Sequence, residues 1–267
     1  MNFPPSANRP TKTSWFKRAM QTVAFLGAYL IFAVVGSAFS VACLIPAVVF
    51  RGVRAHRFGQ RLIHGLFAFF VGYLRRCCLL KLDASELAAL RNSRGLILVA
   101  NHPCLLDAVF VVSQLPQVVC LMKGSLVRNI VLCGTAHLAG YVHNESGLGL
   151  VRICEERLRQ GANLLIFPEG TRSVGGQMHP FKMGFALIAS KAQSPVRTII
   201  ITADSNYLGK GWPFFRKPLF PVRYSLRLGK QFAPSSGMDA KSFGSTVEDY
   251  FHSCLPSHAG PAVSLSP

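Results

Sequence analysis

The longest hydrophobic run of the chain lies near its start, where residues 19–50 contain no charged side chain. About 20 apolar residues in a helix span the hydrocarbon core of a bilayer, so this run is long enough to cross once with tilt. Gly27, Gly36 and Pro46 leave a second interpretation open, in which the run breaks into a shallower insertion. Both interpretations predict an N-terminal apolar helical membrane anchor.

A second apolar block, residues 62–74, is too short to span a bilayer and has arginines at both ends. One interpretation places it in the membrane interface with its arginines at the headgroups. Four aromatic side chains then lie in the lipid: Phe67, Phe69, Phe70 and Tyr73. The alternative is a core helix of the globular domain.

From residue 82 onward, strand-like apolar runs alternate with helical patterns. The predicted strands are 95–100, 117–122, 163–167, 196–203 and 221–232, and the predicted helices are 148–160, 183–192 and 238–255. Such alternation predicts an α/β domain with a mostly parallel sheet flanked by helices. We therefore divide the chain into a basic N-terminal segment (1–18), a membrane-associated helical region (19–80), an α/β domain (81–256) and a disordered tail (257–267).

The charge balance changes the picture of partners. The 267 residues carry a formal charge of +18 with only 11 acidic side chains, which indicates an acidic partner and says little about fold. Nucleic acid, an anionic membrane surface and an acidic carrier all qualify. Because many aromatics lie in apolar runs and not on a basic face, we expect no nucleic-acid partner. The eight cysteines show no repeated metal-ligand spacing, so we expect no metal site.

Two polar clusters follow predicted strands. Asn-His-Pro-Cys-Leu-Leu-Asp (101–107) follows the strand at 95–100, and Pro-Glu-Gly-Thr-Arg-Ser (168–173) follows the strand at 163–167. The carboxyl ends of parallel strands share one edge of a sheet, where ligand sites form. We therefore expect the two clusters to meet.

His102 and Asp107 are the candidate catalytic pair. A histidine takes a proton from a hydroxyl nucleophile, and an aspartate on its other ring nitrogen fixes the tautomer. The sequence contains no Gly-x-Ser-x-Gly elbow, so the attacking hydroxyl is expected to come from a substrate. The alternative is a loop histidine beside an aspartate that caps the next helix.

Glu169 and Arg172 leave the second strand as a charged pair. The arginine is suited to bind a phosphate, and the glutamate is suited to accept a hydrogen bond from an acceptor hydroxyl. The alternative is an ion pair between these two side chains that closes the loop.

Together, His-x-x-x-x-Asp at 102–107 and Phe-Pro-Glu-Gly-Thr-Arg-Ser at 167–173 resemble the first and third sequence blocks of the glycerolipid acyltransferase family, typified by lysophosphatidic acid acyltransferases. The family's Phe-Lys-x-Gly follows at 181–184, and Lys123 resembles a lysine found after the first block. The resemblance covers roughly residues 80–230. Residues 201–215 are similar to a subgroup associated with aryl-polyene or flexirubin-type lipid biosynthesis in bacteria.

The resemblance implies a membrane-associated O-acyltransferase that needs no cofactor. It implies that His102 is the general base, that Asp107 orients it, and that the acyl donor is acyl-CoA or acyl carrier protein with a lipid as acceptor. It further implies a membrane location, in a bacterial inner membrane with the catalytic domain on the cytoplasmic side. The implied substrate-binding residues are Glu169, Gly170, Thr171, Arg172, Lys123 and Lys182.

Two departures keep the acceptor open. Ser146 stands where the family's second block has an arginine tied to acceptor phosphate, and the fourth block, at 196–203, has threonine in place of proline. Both a 1-acylglycerol-3-phosphate-type acceptor and a specialised lipid acceptor fit. A catalytically silent lipid-binding or carrier-docking membrane protein is the alternative function.

Overall fold

A computed structural model of the chain gives the architecture. It describes residues 15–50, 52–127, 129, 131–144, 149–174, 177–235 and 237–255. Ser146, the tail 257–267 and most of the basic segment 1–18 lie outside these residues.

Seven strands form one sheet. They are β1 (Leu80–Asp83), β2 (Ile97–Ala100), β3 (Val118–Met122), β4 (Val142–His143), β5 (Asn163–Ile166), β6 (Val196–Ala203) and β7 (Val222–Phe232). Their order is β1-β7-β6-β2-β5-β3-β4. All neighbouring pairs are parallel except β6 with β7, which confirms the prediction of a mostly parallel sheet.

Helices cover both faces of the sheet. They are α1 (Trp15–Val49), α2 (Val53–Arg76), α3 (Asp107–Val112), α4 (Gly124–Val127), α5 (Cys133–Leu138), α6 (Gly149–Arg159), α7 (Gly184–Ala192) and α8 (Ala240–Cys254), with a 3-10 turn at Ser85–Leu90. The predicted helices at 148–160, 183–192 and 238–255 correspond to α6, α7 and α8. The sequence pattern does not predict the short elements β1, β4 and α3 to α5, because two to six residues carry too little periodicity.

The central strand β2 shows how the core divides. Leu98 and Ala100 enter the cluster formed with α2 and α3, while Ile97 and Val99 enter the cluster formed with α6 to α8. A strand buried on both faces is apolar throughout, which is why 95–100 has no polar alternation. The carboxyl ends of β2, β5 and β6 share one edge, and the loops that leave them define the candidate site.

Helix α1 is one unbroken helix that lies against the globular domain. It continues through Gly27 and Gly36 and ends three residues after Pro46, so these residues do not break it. A Cβ on Gly134 of α5 would meet the Ser40 carbonyl oxygen of α1 at 1.8 Å, so only glycine permits this close approach. Phe16–Val49 is long and apolar enough to cross a bilayer, by length and composition.

Helix α2 corrects one interpretation of the sequence. Phe67 and Phe70 are buried in the core with Ile63 and Leu74, and the Tyr73 hydroxyl donates to the Ala24 carbonyl at 2.9 Å. Placing Phe67, Phe70 and Tyr73 in lipid was therefore wrong, because α2 turns its apolar face toward the sheet. Of the four aromatics, Phe69 alone is well exposed, at 60%. The core-helix alternative is confirmed.

Candidate active site

The histidine and aspartate of the first loop form a direct pair. His102 Nδ1 lies 2.8 Å from Asp107 Oδ2, and the two side chains are 19% and 0% exposed. Asp107 opens α3, so its side chain points back into the loop that follows β2. Within the described part of the chain, His102 Nε2 has no hydrogen-bond partner. The ring therefore has one nitrogen held by the protein and one free for a substrate.

The surroundings of Asp107 are dry. Its Oδ2 also accepts from the Cys104 backbone N–H at 2.7 Å, while Oδ1 is buried without a partner among the described residues. Burial raises the pKa of Asp107, and the hydrogen bond from His102 acts against that rise. The carboxylate is thus costly to bury unless the imidazole faces it, which ties its charge to the state of His102.

Three further contacts fix His102, one through its ring and two through its backbone. Its face stacks on Phe167 at 4.2 Å between centroids with an interplanar angle of 22°. Its backbone N–H donates to Glu169 Oε1 at 2.8 Å, and its carbonyl accepts from the Ser173 backbone N–H at 2.8 Å. The second loop therefore holds the first one in place.

Glu169 has a structural role that the sequence did not predict. It is 3% exposed, and its two oxygens accept from the His102 N–H, from the Ser173 hydroxyl at 3.0 and 2.9 Å, and from the His179 N–H at 2.9 Å. Glu169 thus joins three segments of the chain around His102. Both oxygens already accept from protein donors, and the expected bond to an acceptor hydroxyl stays a prediction.

Arg172 does not pair with Glu169, so the alternative in which an ion pair between these two side chains closes the loop is wrong. Its Nη1 donates to the Leu208 carbonyl at 2.8 Å and the Gly209 carbonyl at 3.1 Å. The Leu208 carbonyl accepts from the Leu105 N–H as well, at 3.1 Å. The side chain is half-buried. One edge of the guanidinium thus anchors the loop after β6, and its remaining N–H groups stay available for an anion.

Gly170 and Lys182 lie against each other. Gly170 has φ +67°, and a Cβ there would come within 2.9 Å of Lys182 Nζ. The positive φ favours glycine at this position, and an added Cβ would also displace the flexible end of the Lys182 side chain. The ammonium group lies over the turn that carries Glu169 and Arg172, and the lysine side chain is exposed.

The remaining predicted residues are less tightly placed. Thr171 is half-buried in the same turn, and Lys123 is exposed at the carboxyl end of β3, with β5 between it and the strand that carries His102. Both lie at the predicted edge of the sheet. Ser146, the departure in the second block, is outside the described residues.

Four residues that position the site were not assigned a role from the sequence. The Asn101 carboxamide exchanges hydrogen bonds of 2.8 and 2.7 Å with the Ile201 backbone, which joins the end of β2 to β6. Phe167, Ser173 and His179 act on His102 directly or through Glu169. For Asn101, Phe167 and Ser173, membership of the two motifs was the only available signal. Their roles could not be assigned because a partner lies up to 100 residues away in the sequence.

Residues 81–202 match the family model Acyltransferase. The chain is 32% identical over 112 residues to the 1-acyl-sn-glycerol-3-phosphate acyltransferase of Helicobacter pylori, which covers 39% of this chain and 47% of that protein. It is 24% identical over 176 residues to the human 1-acyl-sn-glycerol-3-phosphate acyltransferase beta, covering 63% and 62%. The chain thus spans less than two thirds of either relative.

A solved structure shares the fold. The crystal structure of the 1-acyl-sn-glycerophosphate acyltransferase PlsC from Thermotoga maritima aligns with a TM-score of 0.67 at 20% identity, covering 90% of this chain and 96% of that one. This similarity supports the α/β architecture, including the region before residue 81 that the family model does not reach.

Proposed function

We propose that residues 81–202, which match the Acyltransferase family model, are the catalytic part of an enzyme that transfers an acyl group from a thioester to a lipid hydroxyl. The observation that carries the proposal is the 2.8 Å contact of His102 Nδ1 with Asp107 Oδ2, with Nε2 left free at the edge of the sheet. A histidine held in this way is a general base for a hydroxyl supplied by the substrate.

The transfer follows from this arrangement. As the acceptor oxygen attacks the thioester carbonyl carbon, its proton moves to His102 Nε2, and Asp107 stabilises the imidazolium that forms. The tetrahedral intermediate then collapses with cleavage of the C–S bond. The leaving thiolate takes the proton from Nε2, which returns the neutral imidazole.

Direct attack is favoured over an acyl-enzyme. Cys104 stands two residues from His102, but its thiol is buried, and burial together with the nearby Asp107 raises its pKa to about 12. A thiol in that state is a poor nucleophile, since the thiolate is the reactive form. The substrate hydroxyl is therefore the nucleophile in this proposal.

The donor and acceptor are assigned by charge. Positive groups for the phosphates of acyl-CoA or of a carrier-bound acyl chain come from Arg172 and Lys182, and from Lys123 further along the edge. Thr171 adds a polar group beside Arg172. A +18 chain attracts acidic carriers over long range. The acceptor proposed first is a 1-acylglycerol-3-phosphate, as the relatives' names state for those proteins, and a specialised lipid is the second choice.

The location proposed is a membrane surface, with the catalytic domain on the cytoplasmic side of a bacterial inner membrane. Helix α1 packs on the domain over residues 25–43 and turns an apolar face outward. Such a helix with the domain along its length suits insertion in the plane of one leaflet.

Acyl transfer by detergent-purified protein tests the proposal. Acyl-CoA and acyl carrier protein donors are crossed with lysophosphatidic acid and crude membrane lipid, and His102→Ala is run beside His252→Ala, an exposed histidine on α8. We expect product with wild type and with His252→Ala, and a loss of about 10²–10⁴-fold with His102→Ala. Equal turnover by all three proteins would overturn the general-base assignment.

A further inference from the structure

The loop between β6 and β7, residues 204–221, has an outer part that the acyl-transfer site does not use. Its inner part, Tyr207 and Leu208, is buried. Its outer part, residues 210–219, carries Phe214, Phe215 and Leu219, of which Phe215 is 74% and Leu219 is 94% exposed. Large apolar side chains presented together at the tip of a loop indicate a contact surface.

The outer part is also basic. Lys210, Arg216 and Lys217 lie among the exposed apolar residues, and the sequence has no acidic residue from 205 to 222. The Arg216 guanidinium lies 5.2 Å from the centroid of the Trp212 ring. Exposed aromatics mixed with lysine and arginine match the interface of an anionic bilayer, where rings sit at headgroup depth and cations meet lipid phosphates.

The loop is fastened to α1. The Tyr29 hydroxyl of α1 donates a hydrogen bond to the Phe214 carbonyl. The centroid of its ring lies 4.9 Å from that of Phe214 and 5.5 Å from that of Phe215. Lys217 Nζ donates to the Arg18 carbonyl at 3.2 Å and to the Thr22 hydroxyl at 2.6 Å. The outer part of the loop is therefore continuous with the first turns of α1 and their basic residues.

Helix α1 has its own exposed apolar stripe beside this loop. Side chains with helical spacing point away from the domain: Val23, Leu26, Leu30, Val34 and Ile45. The face that carries Phe25 and Tyr29 is turned toward the loop, where Phe25 lies 5.5 Å from Phe220. The stripe and the loop tip thus adjoin each other through the contacts of Tyr29.

We propose that residues 210–219 form a second membrane-contact element, which inserts Phe214, Phe215 and Leu219 into an anionic bilayer beside α1. The proposal rests on the membrane association proposed above. It also has a consequence for the site, because the same loop gives Arg172 the Leu208 and Gly209 carbonyls. Docking of the loop fixes the entrance of the site at the lipid surface, where a lipid acceptor resides.

Depth-dependent quenching tests the insertion. Phe215→Trp is reconstituted in vesicles of equal phosphatidylglycerol and phosphatidylcholine that carry brominated acyl chains, with wild type supplying the background from Trp15 and Trp212. Leu187→Trp is the matched control, since Leu187 is an exposed apolar residue of α7 on the opposite face of the sheet. We expect quenching at least twofold above background for Phe215→Trp and none above background for Leu187→Trp.

Vesicle sedimentation gives a second readout. Replacing Phe214, Phe215 and Leu219 by serine is expected to lower the bound fraction at least threefold at moderate salt, while Leu187→Ser binds as wild type does. Neither readout depends on acyl transfer, so a failure of the proposed catalysis leaves both intact. Quenching of Phe215→Trp no greater than that of Leu187→Trp overturns the proposal, including the case in which an acidic carrier protein covers the loop instead.

Discussion

The loops at 101–107 and 167–173 each carry one buried carboxylate, and the two carboxylates hold the same histidine by different atoms. Asp107 contacts the imidazole, whereas Glu169 accepts from the backbone N–H of His102. One has an oxygen without a partner among the described residues, while both oxygens of the other accept hydrogen bonds. Asp107 faces the imidazole that takes the proton in the proposed transfer, whereas Glu169 fixes the backbone around that imidazole.

Asp107→Asn is expected to have the largest effect of the substitutions that test the difference between the two carboxylates. The amide cannot stabilise an imidazolium, and it can present its N–H₂ to Nδ1 and so favour the wrong tautomer. We expect kcat to fall by about 10²–10⁴-fold, measured with the thioester donor at saturating acceptor. Retention of more than a tenth of the wild-type kcat would remove Asp107 from the mechanism.

The same variant separates catalysis from stability. Burial raises the folded-state pKa of Asp107 above the ordinary value, so the stability that its protonated form contributes is lost as pH rises through that folded-state pKa. At neutral pH we expect Asp107→Asn to melt no lower than wild type. The stability of the wild type relative to Asp107→Asn should rise as the pH falls toward the acidic range. If Asp107→Asn melts well below wild type at pH 7, the ionised Asp107 stabilises the fold, which contradicts the expected direction of the effect.

Glu169→Gln is expected to act first on stability. An amide has one acceptor oxygen, so the His102 N–H or the His179 N–H loses its partner, at about 1–3 kcal/mol for each orphaned donor. Thermal unfolding should shift by about 2–4 °C per kcal/mol in a domain of this size. Glu248→Gln is the control, because Glu248 accepts a single N–H, that of Phe181, which an amide oxygen can still accept. Equal melting temperatures of Glu169→Gln and Glu248→Gln would refute the role of Glu169 in joining the segments around His102.

Arg172→Lys should have a smaller effect, on binding. An ammonium group cannot both hold the Leu208 and Gly209 carbonyls and present a planar fork to a phosphate. We expect KM for the phosphate-bearing substrate to rise about tenfold, which corresponds to about 1.4 kcal/mol, with a lesser change in kcat. Arg223→Lys, at the other end of the same loop and half-exposed, serves as the control. A fall in kcat alone would assign Arg172 to the chemical step.

Cysteine labelling gives the smallest expected effect. Because burial raises the pKa of Cys104 to about 12, its thiol stays protonated at pH 8 and should resist iodoacetamide. Cys78 and Cys254 are exposed and should react. Mass spectrometry of the labelled peptides reads out all three sites. Rapid alkylation of Cys104 with loss of activity would reopen the acyl-enzyme route.

The two N-terminal helices show where apolar pattern alone is insufficient. Residues 19–50 and 62–74 both looked membrane-associated, yet α2 buries Phe67 and Phe70 under the sheet while α1 leaves Val23 and Leu30 exposed. A hydrophobic side chain gains from leaving water whether it enters lipid or a protein core. The pattern predicts burial, and the tertiary fold selects the partner.

The packing of α1 makes deletion of residues 1–50 a poor test of membrane attachment. Phe25 and Ala28 belong to the core cluster that covers the sheet, so the deletion exposes that core as well as removing the candidate anchor. Substitutions on the exposed stripe, which leave Phe25 in place, test membrane attachment more cleanly.

The sequence by itself determined the strand and helix alternation, the mostly parallel sheet, and the meeting of two polar loops at one edge, because periodicity and strand direction are local properties. It also identified His102 and Asp107, which lie five positions apart on one turn. Only the tertiary structure decided that Glu169 binds backbone and that Arg172 binds the loop after β6. Those partners include segments 36 and 67 residues away along the chain, and no local pattern encodes such a contact.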